Sequence, residues 1–338
     1  MKIATKIAAC GLAAALLLTG CGKNGSQASA AVTEAQKQET VLTVDGVPYT
    51  GQDYAAAYLY NKGNLETMLA QYGVTADDMM KNDADKASYH DQITEMAVEQ
   101  LEYLAVCRNK LTEAGLTLDE AALDEELASQ EAQVGGADAL DAYLDKAGIT
   151  REQYRAFASL NVMVDQLRKD YLEKNADTVR AYFDENYLRS KHVLIKTVDD
   201  NNAALENQDE LEAKAREVAD KAKAGSDFDA LIAEYNEDPG MESNPDGYVF
   251  AEGTMVDEFY EGTKALAVNG ISDPVKSSYG WHIIQRLPLR DADYTANQAG
   301  VVSLLFAKEA DAWVKAAKVE KSDSFDAIRM DNAAGYVK

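Results

Sequence analysis

The first apolar stretch of the chain, residues 7–18, is a single short block behind Lys2 and Lys6. It falls short of the about 20 apolar residues that a permanent bilayer helix needs, and it fits the hydrophobic region of a signal peptide. From Val41 the pattern changes to alternation. Val41-Leu42-Thr43-Val44, an Asp45-Gly46 turn and Val47-Pro48-Tyr49 predict a small hairpin. Thr50 then stands as the polar cap of a helix carrying Tyr54, Ala57 and Tyr58. Over 88–114, Ile93, Ala97, Leu101, Leu104 and Ala105 recur at helical spacing, with charges on the opposite face. Gly115 ends that helix, and another starts after Leu116-Thr117-Leu118-Asp119. Gly135-Gly136 breaks the pattern again before two more helices, 137–147 and 151–174. The second has Tyr154, Phe157, Leu160, Val164, Leu167 and Tyr171 on one stripe, and a short helix over 179–187 follows.

At Ser190 the helical period stops. Lys191-His192-Val193-Leu194-Ile195 reads as a strand, followed by helices over 206–225 and 228–235. A turn-rich stretch, 236–247, contains Pro239 and Pro245. A helix over 256–267 and short strands at Pro274-Val275-Lys276 and Trp281-His282-Ile283-Ile284-Gln285 complete the order βαααβαββ, a compact α+β arrangement. Beyond Asp293 the chain is helical again, with Val302, Leu305, Phe306 and Trp313 apolar. This tail is too short for a core of its own, so it is expected to pack on the earlier helices. The predicted organisation is a signal segment (1–20), a polar tether (21–40), a mostly α-helical region (41–187), an inserted α+β domain (188–289) and a helical C-terminal segment (290–338).

Composition sharpens this picture. The formal net charge is -25. Such a surface repels nucleic acid and anionic lipid, and it suits basic or weakly charged partners or serves solubility alone. Leu18-Thr19-Gly20-Cys21 resembles the bacterial lipobox, which implies that Cys21 is lipidated and anchors the chain to a membrane; an ordinary signal peptide cut nearby is the other reading. Residues 22–31 are small and polar, as a flexible tether would be. With Cys10 removed and Cys21 lipidated, Cys107 has no partner for an internal disulfide. No Cys/His spacing suggests a metal and no Gly-rich phosphate loop is present, so no cofactor is expected. The acidic pairs Asp77-Asp78 and Asp199-Asp200 read as solvated caps, and His90 as a surface residue.

Either remaining histidine alone would read as a satisfied core residue. Together they do not. Ser190-Lys191-His192-Val193-Leu194-Ile195 and Tyr279-Gly280-Trp281-His282-Ile283-Ile284 enclose Tyr235-Asn236-Glu237-Asp238-Pro239-Gly240, Gly253-Thr254-Met255-Val256-Asp257-Glu258-Phe259 and Gly270-Ile271-Ser272-Asp273-Pro274-Val275. In this order and spacing the segment from about Ser190 to Leu287 resembles the parvulin family. The resemblance implies a peptidyl-prolyl isomerase site with His192 and His282 as the paired central histidines, Asp238 beside them and Ser277 as a nearby hydroxyl. It further implies that Phe250, Met255 and Phe259 hold the proline ring. Asp238 is given either an electrostatic or a structural role. Pro245-Asp246-Gly247-Tyr248 departs from the family's usual Gly-Gly-Asp-Leu-Gly, which puts Tyr248 at the rim of the pocket.

The chemistry suits such a site. An X-Pro amide turns slowly because resonance must be broken, and a thousandfold acceleration requires about 4 kcal/mol without nucleophile or cofactor. The hairpin, the flanking helices and the lipobox resemble PrsA-type foldase lipoproteins and, more distantly, SurA-type chaperones. This implies unfolded or partly folded exported proteins as partners, outside the cytoplasmic membrane. A non-enzymatic holdase with a catalytically weak parvulin domain is the alternative. A solute-binding lipoprotein would need a long βα alternation that the chain lacks. The sequence carries no signal for an oligomeric state.

Overall fold

The computed structural model describes residues 31–337. The predicted signal segment and the first half of the tether (21–30), with Cys21, lie outside these residues. The chain divides into two compact units, one made of 31–174 and 303–337, the other of Asn175–Val302. The second is thus inserted in the sequence of the first.

The first unit opens with α1 (Glu34–Gln38) and the expected hairpin, β1 (Thr40–Val44) and β2 (Val47–Thr50). Asp45 and Gly46 turn it with φ of 45° and 80°, the left-handed pair that matches strand twist. Thr50 caps α2 (Gly51–Gln71) in a reciprocal box with Asp53. There follow α3 (Ala76–Met79), α4 (Asp83–Glu113), α5 (Glu120–Gln133), α6 (Ala137–Ala147) and α7 (Arg151–Lys174). Their apolar stripes meet in one core that includes Tyr54, Tyr58, Ile93, Leu101, Leu140, Tyr154 and Leu167. The hairpin is fastened to that core by Tyr49, whose Oη donates to the Leu101 carbonyl at 2.9 Å. His90 does not stand free on the surface: it is half-buried, and its Nδ1 lies 2.8 Å from Tyr58 Oη. Asp78 caps α3 with Thr75, and Asp199 accepts the amides of Asn201 and Ala203.

The chain returns to this unit within α13 (Asp291–Ala316), from Ser303 onward. Phe306 and Ala310 enter the core, and β7 (Val319–Lys321) pairs with β1 to give the sheet order β2-β1-β7. No hydrophobic pattern in the sequence predicts that strand or α14 (Ala333–Val337), which brings Tyr336 into the core.

The second unit begins with α8 (Ala176–Asn186) and β3 (Tyr187–Lys196). It continues through α9 (Gln208–Lys223), α10 (Phe228–Tyr235), α11 (Gly240–Ser243), β4 (Tyr248–Ala251), α12 (Asp257–Lys264), β5 (Val275–Lys276) and β6 (Gly280–Leu287). From β3 to β6 the order is the expected βαααβαββ, folded into an antiparallel sheet of order β4-β3-β6-β5. The two faces of β3 differ. Val193 and Ile195, with Ile283, pack on Ala215, Val218, Ala219 and Ala222 of α9 and on Phe228 and Leu231 of α10. Leu188 and Ile284 pack on Phe250, Phe259 and Tyr260. Because side chains alternate along a strand, His192 falls on the second face, with Leu188 and Leu194.

Candidate active site

Strand register places the two histidines. In the antiparallel β3–β6 pair, His192 stands opposite Ile284 and Leu194 opposite His282, so the histidines are diagonal neighbours on one face. Their rings stack with an interplanar angle of 13°, and His192 Nδ1 lies 3.0 Å from His282 Nδ1. The β5–β6 turn brings Ser277 Oγ to 2.6 Å from His282 Nε2, and the same oxygen accepts the Tyr279 amide at 3.2 Å. On the other side, His192 Nε2 meets Asp238 Oδ2 at 2.8 Å.

Asp238 comes from the loop after α10, and the short β4 explains how that loop is held. β4 covers β3 only from Tyr187 to Ser190. The next part of that edge is taken by the loop itself: the Leu194 amide donates to Asn236 Oδ1 at 2.9 Å, and the Glu237 amide donates to the Leu194 carbonyl at 2.9 Å. Asn236 also donates to the Asp238 carbonyl at 2.7 Å. Asn236 stood in the motif without a role; its signal was an Asx residue two positions before an acid.

The Asp238 carboxylate accepts three contacts in all. Oδ2 takes the His192 donor and Tyr248 Oη at 2.8 Å, and Oδ1 takes the Gly240 amide at 3.0 Å. The His192 bond, with help from Gly240 and Tyr248, holds the carboxyl well below the usual carboxylate range despite partial burial. Burial acts oppositely on His282, pushing it down to about 3, so that its ring is neutral at ordinary pH. Burial, and then the facing Asp238, push the Tyr248 hydroxyl up, so it stays a donor.

These charge states make the hydrogen bonds directional. An ionised Asp238 only accepts, so His192 donates through Nε2. With His282 neutral, its Nδ1 can donate to His192 Nδ1 while its Nε2 accepts from the Ser277 hydroxyl. One assignment of protons thus satisfies the whole line from the Tyr279 amide to Asp238.

The line is not equally open along its length. Ser277, His192 and His282 are 5%, 4% and 4% exposed, whereas the Asp238 side chain is 23% exposed. Phe259 is buried, edge-on to His192 and His282 with ring centroids 5.0 and 5.3 Å away, and Phe250 lies beyond it. Met255 is half-buried against the same cluster. The structure therefore gathers all seven residues singled out within 190–287. Of these, Asp238 and Met255 face outward, and the two phenylalanines form a floor. Cys21 lies outside the described residues. Among the described residues, no group of three or more His, Cys, Asp or Glu side chains is placed to hold a metal ion, and no helix is long and apolar enough to cross a membrane.

Comparison with known proteins settles the kind of domain. Residues 192–287 match the rotamase family model, described as the PPIC-type PPIase domain. The chain carries a parvulin-type domain. The chain is similar to foldase proteins PrsA. That of Halalkalibacterium halodurans is 30% identical over 213 residues, covering 59% of this chain and 60% of the relative. That of Caldanaerobacter subterraneus subsp. tengcongensis is 23% identical over 302 residues, covering 85% and 89%. Against the first of these the chain spans less than two thirds of the relative's length. A crystal structure of the peptidylprolyl isomerase PrsA from Bacillus cereus is 20% identical, covers 71% of this chain and 88% of its own, and has a TM-score of 0.41. The parvulin domain accordingly contains the histidine pair, Asp238, Ser277 and the apolar floor beneath them.

Proposed function

We propose that the protein is a peptidyl-prolyl cis-trans isomerase and foldase of exported proteins, acting outside the cytoplasmic membrane. The observation that carries the reading is the hydrogen-bonded line Ser277–His282–His192–Asp238, within a domain that matches the parvulin model. In this reading Asp238 faces the carbonyl of the residue before proline. His192, His282 and Ser277 hold Asp238 from behind, since they are too buried to meet the peptide. Met255 receives the proline ring, with Phe259 and Phe250 beneath. As the amide twists, resonance is lost and charge separation falls, so an apolar seat for the ring favours the twisted state. Asp238 acts on the carbonyl side, where electron density changes most.

Two further parts of the reading concern place and partners. Leu18-Thr19-Gly20-Cys21 supports a lipid anchor at Cys21, and the similarity to foldase proteins supports unfolded or partly folded exported chains as clients. A second reading, a non-enzymatic holdase, is favoured by Met68, Tyr72 and Met79 in the first unit, which are 46%, 79% and 38% exposed within twelve residues.

The test is exchange spectroscopy on a short X-Pro peptide, using a chain that begins at Gly22. Acceleration is expected, with turnover lowered in Asp238→Ala and peptide binding weakened in Met255→Ala. Met255 is preferred to Phe259 because truncating a buried phenylalanine costs about 3–5 kcal/mol of stability and confounds the assay. Aggregation suppression without any acceleration would leave the holdase reading in its place.

A further inference from the structure

Tyr248 occupies a position where the sequence departs from the family pattern, and it does more there than fill space. Its Oη donates to Asp238 Oδ2 at 2.8 Å, the same oxygen that His192 Nε2 contacts at 2.8 Å. Its ring stands edge-on to His192, with centroids 5.9 Å apart. The neighbouring backbone leaves room for this arrangement: a β-carbon at Gly240 would collide with Tyr248 Oη. Strand pairing fixes the root of the side chain, since Tyr248 lies opposite Ser190, two residues from His192 on the same face.

Consider what Asp238 would do without this hydroxyl. The Gly240 amide holds Oδ1, and His192 alone would hold Oδ2. A carboxylate with one donor per oxygen can still turn about its side-chain torsions. A third donor, arriving from the rim, fixes the plane of the group. It also favours the ionised form, because a hydroxyl donor stabilises carboxylate over acid. We propose that Tyr248 is a positioning residue of the isomerase site, acting through Asp238 by fixing its Oδ2 against His192 and so setting where that oxygen meets the substrate carbonyl. This inference rests on the isomerase reading above.

Tyr248→Phe removes the hydroxyl and keeps the ring, so packing on Gly240 and His192 is retained. Loss of one charge-assisted hydrogen bond in the turnover step is expected to lower kcat about tenfold with KM little changed. Without a donor that favours the carboxylate, the acid limb of the pH–rate profile moves to higher pH. The 13C titration of the Asp238 carboxyl moves the same way. The measurements use the full chain from Gly22, with a melting curve for each protein. If the variant fails to fold, Gly240→Ala should displace the hydroxyl and produce the same two shifts. Acceleration by the unmutated chain, with an unchanged rate and unchanged titration in the variant, overturns the role of Tyr248 while leaving the isomerase reading intact. A rise in KM alone, with an unmoved pH profile, also overturns it, because Tyr248 would then touch the peptide and not act through Asp238. No acceleration by the unmutated chain overturns both.

Discussion

Protonation of His282 should be the largest acid-sensitive step in the parvulin domain that a single substitution can isolate. A free histidine takes up a proton near pH 6.5, but burial pushes His282 down to about 3, and the adjoining His192 adds to the effect. Between these values the unfolded chain binds a proton that the folded chain refuses. Acid therefore draws the equilibrium toward unfolding. The contribution is fully present above pH 6.5 and is lost as pH falls toward 3, at about 1.4 kcal/mol per unit. From pH 7 to pH 5 the loss is about 2 kcal/mol, a figure set by the unfolded value as long as the folded ring stays neutral. His282→Gln removes the titrating group. Its absolute stability will differ, so the informative quantity is the change with pH. The assay is urea unfolding at pH 7 and pH 5, followed by Trp281 fluorescence in a Trp313→Phe background, because the two tryptophans report different units. The unmutated domain should lose about 2 kcal/mol more than His282→Gln across this interval. Equal losses would show that His282 is not held neutral by burial, and the proton assignment along the line would fall with it.

Two further outcomes are expected. Gly280→Ala places a β-carbon against the Ile195 carbonyl in the β3–β6 pair, so it should destabilise the domain by about 1–3 kcal/mol, read by the same fluorescence assay; an unchanged midpoint would contradict that packing. Cys21→Ala should move the protein from the membrane fraction to the soluble fraction or block its maturation, and unaltered fractionation with retained lipid label would reject the anchor.

The helices were legible because their amphipathic period is long and their ends are punctuated. The helices at 137–147, 151–174 and 228–235 are bounded by Gly-Gly, a Gly stop or an Asp cap. β7 was not legible, because Val319-Glu320-Lys321 has no alternation to read. It is a strand through its neighbour: Asp45 joins the Lys318 backbone through its amide and carboxylate, and β1 offers a free edge. The half-burial of His90 is hidden in the sequence for a similar reason. Its position on α4 is ordinary, and only the packing of α2 brings Tyr58 against it. At the site, the order of motifs pointed to the histidines and the acid. The directed line of hydrogen bonds depends on the β3–β6 register, which a motif does not contain. The outward position of Asp238 depends on a loop whose anchor, Asn236, looks like any turn residue.

The truncated β4 links these observations. A strand long enough to pair with all of β3 would satisfy the Leu194 backbone by itself, and the Asn236–Asp238 segment would then have nowhere to dock. Because β4 pairs with β3 only as far as Ser190, the open edge beyond is claimed by a loop that carries an acid to the buried histidines. A buried edge left without partners would cost stability, so the loop is held by the same demand that builds a sheet. The result is a carboxylate fixed from within by imidazole and from the rim by Tyr248, with one side toward solvent. Such a group is suited to acting on a carbonyl whose polarity changes during rotation. It is poorly suited to covalent attack, since three of its four lone-pair sites are already committed to hydrogen bonds. The sheet geometry therefore favours electrostatic over nucleophilic chemistry at Asp238, and rotation about an amide is a reaction that needs no more than that.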